Sequence, residues 1–286
     1  MLSKRLLIST AITVTALLGA VGTTSLPAAA STSPAQNVPN PGGPIVRAPA
    51  PANSGSSVPT ISFNWSGYAA VSSQKFTYVH ARFVQPSITC TGNRNQWTSS
   101  WAGLDGFTTG TVEQDGTDAH CGGQNGTTPQ YQAWYELFPA PSVNVFTVRP
   151  GDTIDSSVRY ANGKFTLVIR DLTTGKSATH TAACADCARA SAEWIIERPA
   201  LCNNSETKCY ITELADFGTS TMGQDTAQVA GGKVTAAGGF DNIPIYMVTP
   251  LNKGFISLDT VSALNARGNA FTATWDRTGN TVPIKL

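Results

Sequence analysis

Carboxyl, amide and indole side chains alternate along three short segments between Trp101 and Phe138. Because the side chains of a strand alternate between its two faces, each segment would place its chemical groups on one face. Neighbouring strands bring such faces together, so the three segments could line one concave surface. An ordinary half-exposed sheet has the same alternation and is the competing interpretation. The residues on the predicted surface are Trp101, Asp105, Gln114, Asp118, Trp134 and Glu136.

The most available catalytic equipment in these segments is a pair of carboxyl groups. A carboxylate can take a proton from water and later return that proton to a leaving group. A primary amide such as Gln114 does not titrate, but its NH₂ group can donate a hydrogen bond to a developing oxyanion. Hydrolysis based on carboxyl groups is used by glycosidases and by acid peptidases.

The sequence does not carry the motifs of several other chemistries. Its three histidines, His80, His120 and His180, are accompanied neither by a serine in a GxSxG context nor by an HExxH spacing. No glycine-rich phosphate loop opens a helix. Lys and Arg total 19 against 18 Asp and Glu, without a basic run after the first residues, which argues against a nucleic-acid partner. We therefore predict an enzyme that needs no metal and no cofactor.

The elements that must position these groups are short strands. From Ile61 to Leu286, alternating segments recur between turn residues, and Ala161-Asn162-Gly163 predicts a hairpin turn. The closest helical candidate, Ala182 to Ala190, is short and contains two cysteines. We therefore predict one all-β domain over residues 61–286, a two-sheet antiparallel β-sandwich of the concanavalin-like jelly-roll type.

Two segments precede this domain. Residues 1–30 have the pattern of a secretory signal peptide, with Lys4 and Arg5 before an uncharged apolar run and small residues near residue 30. Residues 31–60 are rich in Pro and Ser and carry Arg47 as their only charge, which predicts a disordered arm or a pro-segment. We expect a secreted, extracellular monomer that has no membrane contact after the signal is cleaved.

The six cysteines are even in number and follow an export signal, so disulfides are the default prediction. Six cysteines allow fifteen pairings. We favour Cys202–Cys209 across a hairpin and Cys90–Cys121 between the first strands and the loop after Gln114, which leaves Cys184–Cys187 as a local bridge. A zinc or redox role for the CxxC spacing lacks a second ligand pair and a strand–helix context.

Eight short segments follow one another in a characteristic order. The segments are Asn64-Trp65-Ser66-Gly67-Tyr68, Phe83-Val84-Gln85-Pro86, Trp101-Ala102-Gly103-Leu104-Asp105-Gly106, Gln114-Asp115-Gly116-Thr117-Asp118, Ala133-Trp134-Tyr135-Glu136, Asp171-Leu172-Thr173-Thr174-Gly175, Ala192-Glu193-Trp194-Ile195-Ile196-Glu197 and Asp216-Phe217-Gly218. Each segment alone is a weak signal, whereas eight in one order are specific. Together they resemble the glutamic peptidases of the eqolisin family, and the similarity runs from about Ser62 to the end of the chain.

The resemblance implies a secreted endopeptidase that acts on polypeptides, at acidic pH, with a catalytic Gln and Glu on the concave face of a sandwich. The Gln corresponds to Gln114. We assign the Glu to Glu193, and Glu197 is the alternative because it has the same strand parity. Substrate-binding or supporting roles are expected for Trp101, Asp105, Asp118, Trp134 and Glu136, of which Asp105 and Asp118 could orient Gln114.

Some features depart from the family pattern. The loop from Ala119 to Gln130 is expected to be longer than in the family, and the segment after Asp241 matches poorly. The sequence pI of about 7.6 is not that of an acid enzyme.

Two other functions stay open. A non-catalytic sandwich could instead stack sugar rings on Trp101, Trp134 and Phe138. A glycoside hydrolase would need a second acid, such as Glu136, about 5–9 Å from the first.

Overall fold

The computed structural model of this protein describes residues 38–40, 43–49, 60–202 and 208–284. The predicted signal peptide and most of the predicted arm therefore lie outside the described residues. Within them, regular structure consists of strands and one 3₁₀ turn at Ala237–Gly239. The strands are β1 (Val38–Asn40), β2 (Thr60–Ser62), β3 (Trp65–Val71), β4 (Phe76–Val84), β5 (Gln96–Leu104), β6 (Val112–Gly122), β7 (Thr128–Phe138), β8 (Val143–Thr147), β9 (Thr153–Ala161), β10 (Lys164–Asp171), β11 (Ser177–Ala182), β12 (Ser191–Glu197), β13 (Ala200–Cys202), β14 (Cys209–Ile211), β15 (Glu213–Leu214), β16 (Thr219–Val229), β17 (Thr235–Ala236), β18 (Asp241–Leu251), β19 (Gly254–Ser257), β20 (Asp259–Val261), β21 (Ala270–Trp275) and β22 (Val282–Ile284).

Two large sheets form the sandwich, as predicted. The first is ten-stranded, with the order β19-β18-β3-β12-β5-β6-β7-β8 and with β2 and β15 added at β18 and β5. The second is eight-stranded, with the order β11-β10-β9-β4-β16-β21-β20 and with β17 added at β16. A small sheet joins β1, β13, β14 and β22. Pairing is antiparallel except where β2 meets β18 and β15 meets β5.

The first sheet is covered on both of its faces. Its inner face packs on the second sheet, and the core between them includes Trp194, Leu104, Phe83, Ile154 and Phe165. Its other face carries a separate apolar cluster built around tryptophans. Every residue of the central strands β5 and β12 is buried for this reason. Polar side chains on these two strands are therefore held away from bulk water.

Local sequence signals account for several of these elements. Strand β9 ends at Ala161 and β10 begins at Lys164, and the two residues between them have φ values of 52° and 78°. Two positive φ values are what a tight hairpin turn requires, and Asn-Gly tolerates them. The helical candidate at 182–190 forms no helix. The expected long loop at 119–130 is instead a hairpin, because β6 and β7 continue to pair as far as Gly122 and Thr128.

The three disulfides expected from the sequence are confirmed. Cys90 pairs with Cys121, Cys184 with Cys187, and Cys202 with Cys209. Cys90–Cys121 joins the segment before β5 to the end of β6, and Cys202–Cys209 joins β13 to β14. No helix in the described part of the chain is long and apolar enough to cross a membrane.

Two pieces of the predicted arm are structured. Residues 38–40 form β1, which pairs with β13 from Val38↔Cys202 to Asn40↔Ala200. Residues 43–49 run along the outer face of the first sheet and bond to residues 61–64. Whether residues 31–60 form a pro-segment stays a prediction.

Candidate active site

The strand register assembles most of the predicted chemical residues on the outer face of the first sheet. Gln114 on β6 is paired with Gly103 on β5 and with Glu136 on β7. Two residues along, Gly116 is paired with Trp101 and Trp134. All of these side chains are buried. Trp65 on β3 and Ile195 on β12 belong to one apolar cluster with Trp101 and Trp134, so five strands contribute to one surface, which we call the concave face: β3, β12, β5, β6 and β7.

Tryptophans form the floor of this face. Trp65 and Trp101 meet edge to face with their ring centroids 5.0 Å apart, an arrangement that aromatic pairs favour. Trp134, Ile195 and Phe107 belong to the same apolar cluster. Glycine at position 116 makes room for the cluster, because a Cβ there would lie 2.5 Å from the Cβ of Trp101.

A direct hydrogen bond joins the predicted amide to a carboxylate. The Nε2 atom of Gln114 donates to Oε2 of Glu136 at 2.9 Å, and both side chains are buried. A carboxylate can only accept such a bond, so Glu136 determines which end of the Gln114 amide faces it. Glu136 is thus the carboxyl group that orients Gln114 by direct contact.

Glu197 lies in the aromatic part of the concave face. Its Oε2 accepts a hydrogen bond of 2.8 Å from Nε1 of Trp101, and its Oε1 accepts one of 3.0 Å from Nδ2 of Asn64. Burial raises the pKa of Glu197 well above its usual range. The two hydrogen bonds act in the opposite direction because they stabilise the charged form, and the Glu136 carboxyl group raises the pKa further.

Glu193 has a different environment, although its backbone is closer to Gln114 in register. It pairs with Gly103, the residue that also pairs with Gln114. Burial raises the pKa of Glu193 well above its usual range, and the neighbouring carboxyl groups of Asp105 and Glu113 raise it further. Its carboxyl group therefore belongs to a second set of acids, at the end of β5 and the start of β12.

Strand alternation predicted that Asp105 shares a face with Trp101. This prediction is wrong, because Asp105 lies beyond the end of the strand. Strand β5 ends at Leu104, and Asp105 adopts a φ of 72°. Its two carboxylate oxygens accept hydrogen bonds from the backbone N–H groups of Arg189 and Ala190, at 2.6 and 2.8 Å. Asp105 therefore holds the turn that leads into β12, because alternation stops where the strand stops.

Asp118 lies on the concave face in the row that contains Ser99. Its Oδ1 accepts a hydrogen bond of 2.5 Å from the Ser99 hydroxyl. Burial raises the pKa of Asp118 to about 7, in spite of this bond. Trp194 points to the opposite face, where its Nε1 donates to the backbone oxygen of His80.

Two side chains near the site had no predicted role. Asn64 contacts Glu197, and it lies beside Trp65 in a segment that resembles the family, so the motif was a usable signal. Glu113 is buried beside Asp105, and burial together with that neighbour raises the pKa of Glu113 to about 9. Strand alternation places Glu113 on the core side, where no sequence signal marks a carboxyl group.

Among the residues that the structure describes, one group of side chains has the spacing of a metal site. Ligand atoms of Glu113, Cys184 and Cys187 lie within 4.8 Å of one another. Both sulfur atoms are joined in a disulfide, whereas metal ligation by cysteine requires thiolates. These residues do not fit a metal ion in this state.

Comparisons with known proteins identify the family and the fold. A model of the peptidase A4 family matches residues 63–263. A crystal structure of scytalidoglutamic peptidase with a peptide-based transition state analog has a TM-score of 0.62 at 23% identity, over 74% of this chain and 98% of that one. SCP-B, described as a member of the eqolisin family and solved with the tripeptide Ala-Ile-His, has a TM-score of 0.61 at 22% identity, with the same coverage. No curated protein sequence matches this chain.

The likeness to the solved structures establishes the fold. An antiparallel β-sandwich with this family match defines the class of the protein, a hydrolase that acts on peptide bonds. The chain belongs to the peptidase A4 family, the glutamic peptidases or eqolisins.

Proposed function

We propose that this protein is a secreted endopeptidase in which Glu197 and Gln114 carry out the hydrolysis. The observation that carries the proposal is the position of both residues beside Trp101. Nε1 of Trp101 donates a hydrogen bond to Glu197, and Trp101 is paired with Gly116, two residues along β6 from Gln114. The two residues therefore border one small, buried polar region.

The family resemblance led us to assign the acid to Glu193, with Glu197 as the alternative because the two residues have the same strand parity. The contacts of the two residues favour Glu197. Glu197 bonds to Trp101 and Asn64 on the aromatic part of the concave face, whereas Glu193 interacts with Asp105 and Glu113. A catalytic acid needs to face the groove that receives the substrate, and the aromatic floor is the part suited to bind a polypeptide.

The proposed reaction follows from the chemistry of the two groups. Glu197 takes a proton from a water molecule, and the water oxygen forms a bond to the carbonyl carbon of the substrate. An N–H of Gln114 stabilises the negative charge that develops on the carbonyl oxygen. Glu197 then gives its proton to the amide nitrogen as the carbon–nitrogen bond breaks. Its raised pKa suits the second step, since a protonated carboxyl group is required there.

Gln114→Ala tests the role of the amide. We expect kcat to fall by about 10²–10³, the usual cost of losing one oxyanion donor. The measurement is hydrolysis of casein or a denatured protein by the purified protein from pH 2 to 8, with pepstatin and EDTA as controls. Full activity in this variant, or a wild type that cleaves no polypeptide at any pH, would show that the proposed mechanism is wrong.

Gly103→Ala tests whether the position of Gln114 matters. A Cβ at residue 103 would lie 3.0 Å from the Cβ of Gln114 and 3.0 Å from Cζ3 of Trp101. Displacement of a catalytic group by about 1 Å can cost about 100-fold in rate, so we expect kcat to drop while the protein stays folded. Gly110→Ala is the matched control, because a Cβ there meets no atom within 4 Å. Equal activity in both variants would contradict this role of Gly103.

The carbohydrate-binding and glycoside hydrolase alternatives are not favoured, because the chain belongs to the peptidase A4 family.

A further inference from the structure

Arg198 is a fully buried cation that directly follows Glu197 at the end of β12. Its guanidinium group donates hydrogen bonds to backbone carbonyl oxygens of four separate segments. Nε donates to Phe63 at 2.5 Å, Nη1 donates to Asn280 at 2.7 Å and to Thr212 at 3.2 Å, and Nη2 donates to Val248 at 3.1 Å. Four hydrogen bonds nearly exhaust the donors of a guanidinium group, which has five N–H groups.

The partners of this cation are backbone groups and not carboxylates. Within the described part of the chain, no carboxylate forms an ion pair with Arg198. Burial lowers the pKa of Arg198 to about 9, so the group stays charged at acidic and neutral pH. A buried charge costs free energy unless it is paired or hydrogen-bonded, and carbonyl groups satisfy it here. Arg198 therefore fixes the relative positions of several backbone segments.

Arg198 also holds the backbone beside Glu197. The pairing of β3 with β12 ends at Glu197 and Trp65. Beyond this pair, the backbone N–H of Arg198 donates to the Asn64 carbonyl at 3.0 Å, and its Nε donates to the Phe63 carbonyl. Arg198 thus continues the contact between the two chain segments past the last pair of the ladder.

Asn64 connects this contact to the proposed catalytic acid. Its Nδ2 donates to Oε1 of Glu197 at 3.0 Å, and Trp101 donates to the other carboxyl oxygen. The Phe63 carbonyl belongs to the planar peptide group that also contains the Asn64 nitrogen. The hydrogen bond from Nε of Arg198 therefore fixes the peptide plane that leads into Asn64, and with it the origin of the Asn64 side chain.

We propose that Arg198 is a positioning residue for the reaction, which holds the Glu197 carboxyl group in its working orientation through Phe63 and Asn64. The inference rests on the proposed function, because it takes Glu197 as the catalytic acid. All four side-chain hydrogen bonds of Arg198 go to backbone carbonyl groups, so it acts through the chain and not on the substrate. Since displacement of a catalytic group by about 1 Å can cost about 100-fold in rate, loss of this support should lower kcat.

Two substitutions separate positioning from general stabilisation. Arg198→Lys keeps the charge, but a methylene group takes the place of Nε, so the bond to Phe63 is lost while the ammonium group can reach the other carbonyls. Arg198→Gln places an amide nitrogen where Nε lies, so the bond to Phe63 can remain while the other three bonds and the charge are lost. We expect kcat on casein to fall by about 10- to 100-fold in Arg198→Lys, with little change in KM, and to stay within about threefold of wild type in Arg198→Gln.

A purely structural role predicts the reverse order of kcat, because Arg198→Gln removes more hydrogen bonds. Arg82→Lys is the matched control. Arg82 donates from Nε and Nη2 to Asp155 on the second sheet, so the same substitution removes the same kind of bond without touching Asn64. It should leave kcat unchanged. Calorimetry of each variant gives its Tm, so that kcat is compared for folded protein.

The indole N–H of Trp101 provides a readout that does not depend on catalysis, because it donates to the Glu197 carboxyl group. The hydrogen bond from Asn64 lowers the pKa of Glu197. Its weakening should therefore raise the pH at which the NMR resonance of this N–H titrates in Arg198→Lys, but not in Arg82→Lys. Asn64→Ala removes the bond outright and should raise the same midpoint, which keeps the inference testable if Arg198→Lys does not fold.

The outcomes distinguish this inference from the proposed function. An unchanged titration midpoint in Arg198→Lys or in Asn64→Ala, or a greater loss of kcat in Arg198→Gln than in Arg198→Lys, would overturn the positioning role. A raised midpoint in a protein that cleaves no polypeptide would support the positioning role and count against the proposed reaction instead.

Discussion

Glu197→Gln should reduce kcat by about 10³ or more, because the change removes the group that serves as base in one step and as acid in the next. Gln has nearly the same shape, but it has one oxygen in place of two, so it can accept the hydrogen bond from Trp101 or the one from Asn64, not both. The aromatic floor should persist, because its tryptophans pack on one another and on Ile195. A large loss of kcat with little change in KM is the expected result, since the lost contribution belongs to the transition state.

Glu193→Gln is the matched comparison within the same strand. Both residues are buried on β12 and have the same parity, so the two substitutions place a similar burden on folding. We expect Glu193→Gln to keep most of the wild-type kcat, because its environment is the acid set at Asp105 and Glu113. Thermal unfolding of both variants controls for stability. If Glu193→Gln is inactive and Glu197→Gln is active while both are folded, the acid was assigned to the wrong glutamate.

The second large expected effect is a change in the free energy of unfolding with pH. We expect the protein to be most stable at acidic pH and to lose stability steadily between about pH 4 and pH 7. Burial raises the pKa of Asp118 and of Asp259 to about 7, and that of Asp115 to about 8. These groups keep their proton in the folded protein and lose it in the unfolded chain at a pH near 4. Their contribution to stability is therefore complete below pH 4 and is lost as the pH rises through the folded-state pKa values.

The size of this effect is considerable. Each group contributes a slope of about 1.4 kcal/mol of unfolding free energy per pH unit over its window. Together the three groups should lower Tm by more than about 10 °C between pH 4 and pH 7. Calorimetry on the Gln114→Ala variant measures the curve without self-digestion. A Tm that is constant or rises over this range would contradict the expectation.

A variant of one buried acid sharpens the test. Both carboxylate oxygens of Asp225 are buried, and in the described part of the chain no group donates a hydrogen bond to them. Burial raises the pKa of Asp225 well above its usual range. Asp225→Asn removes the charge that neutral pH would impose, so it should flatten the decline of Tm with pH. Asp241→Asn, at an exposed position, is the control and should leave the slope of Tm against pH unchanged.

The acidic limit of stability has a different origin. Burial opposes ionisation of Asp155, but hydrogen bonds from His80 and Arg82 overcome it and lower the pKa of Asp155 to about 2. The stability that this group contributes is complete above pH 4 and is lost as the pH falls through about 2. The stability maximum should therefore lie between these two windows, near pH 3 to 4.

Much of the architecture followed from local signals. Alternation at Trp101, Gln114 and Trp134 predicted a shared face, and the register of β5, β6 and β7 confirms it. Asn162 and Gly163 predicted their hairpin because few residues tolerate two positive φ values in succession. The alternation argument failed at Asp105, since it holds only while a strand continues. It also could not show that Glu113 lies beside Asp105, because that contact depends on where β5 ends.

The sequence by itself determined the all-β class, the family and the two candidate glutamates, since these depend on alternation and on motifs within short segments. Glu193 and Glu197 are four residues apart on one strand, so their side chains point to the same face and no local pattern can separate them. Tertiary structure supplied the difference, through Trp101, 96 residues away, and Asn64, 133 residues away. It also brought residues 43–48 onto the concave face. A Pro- and Ser-rich composition does not encode that contact, because its partners lie in strands far along the chain.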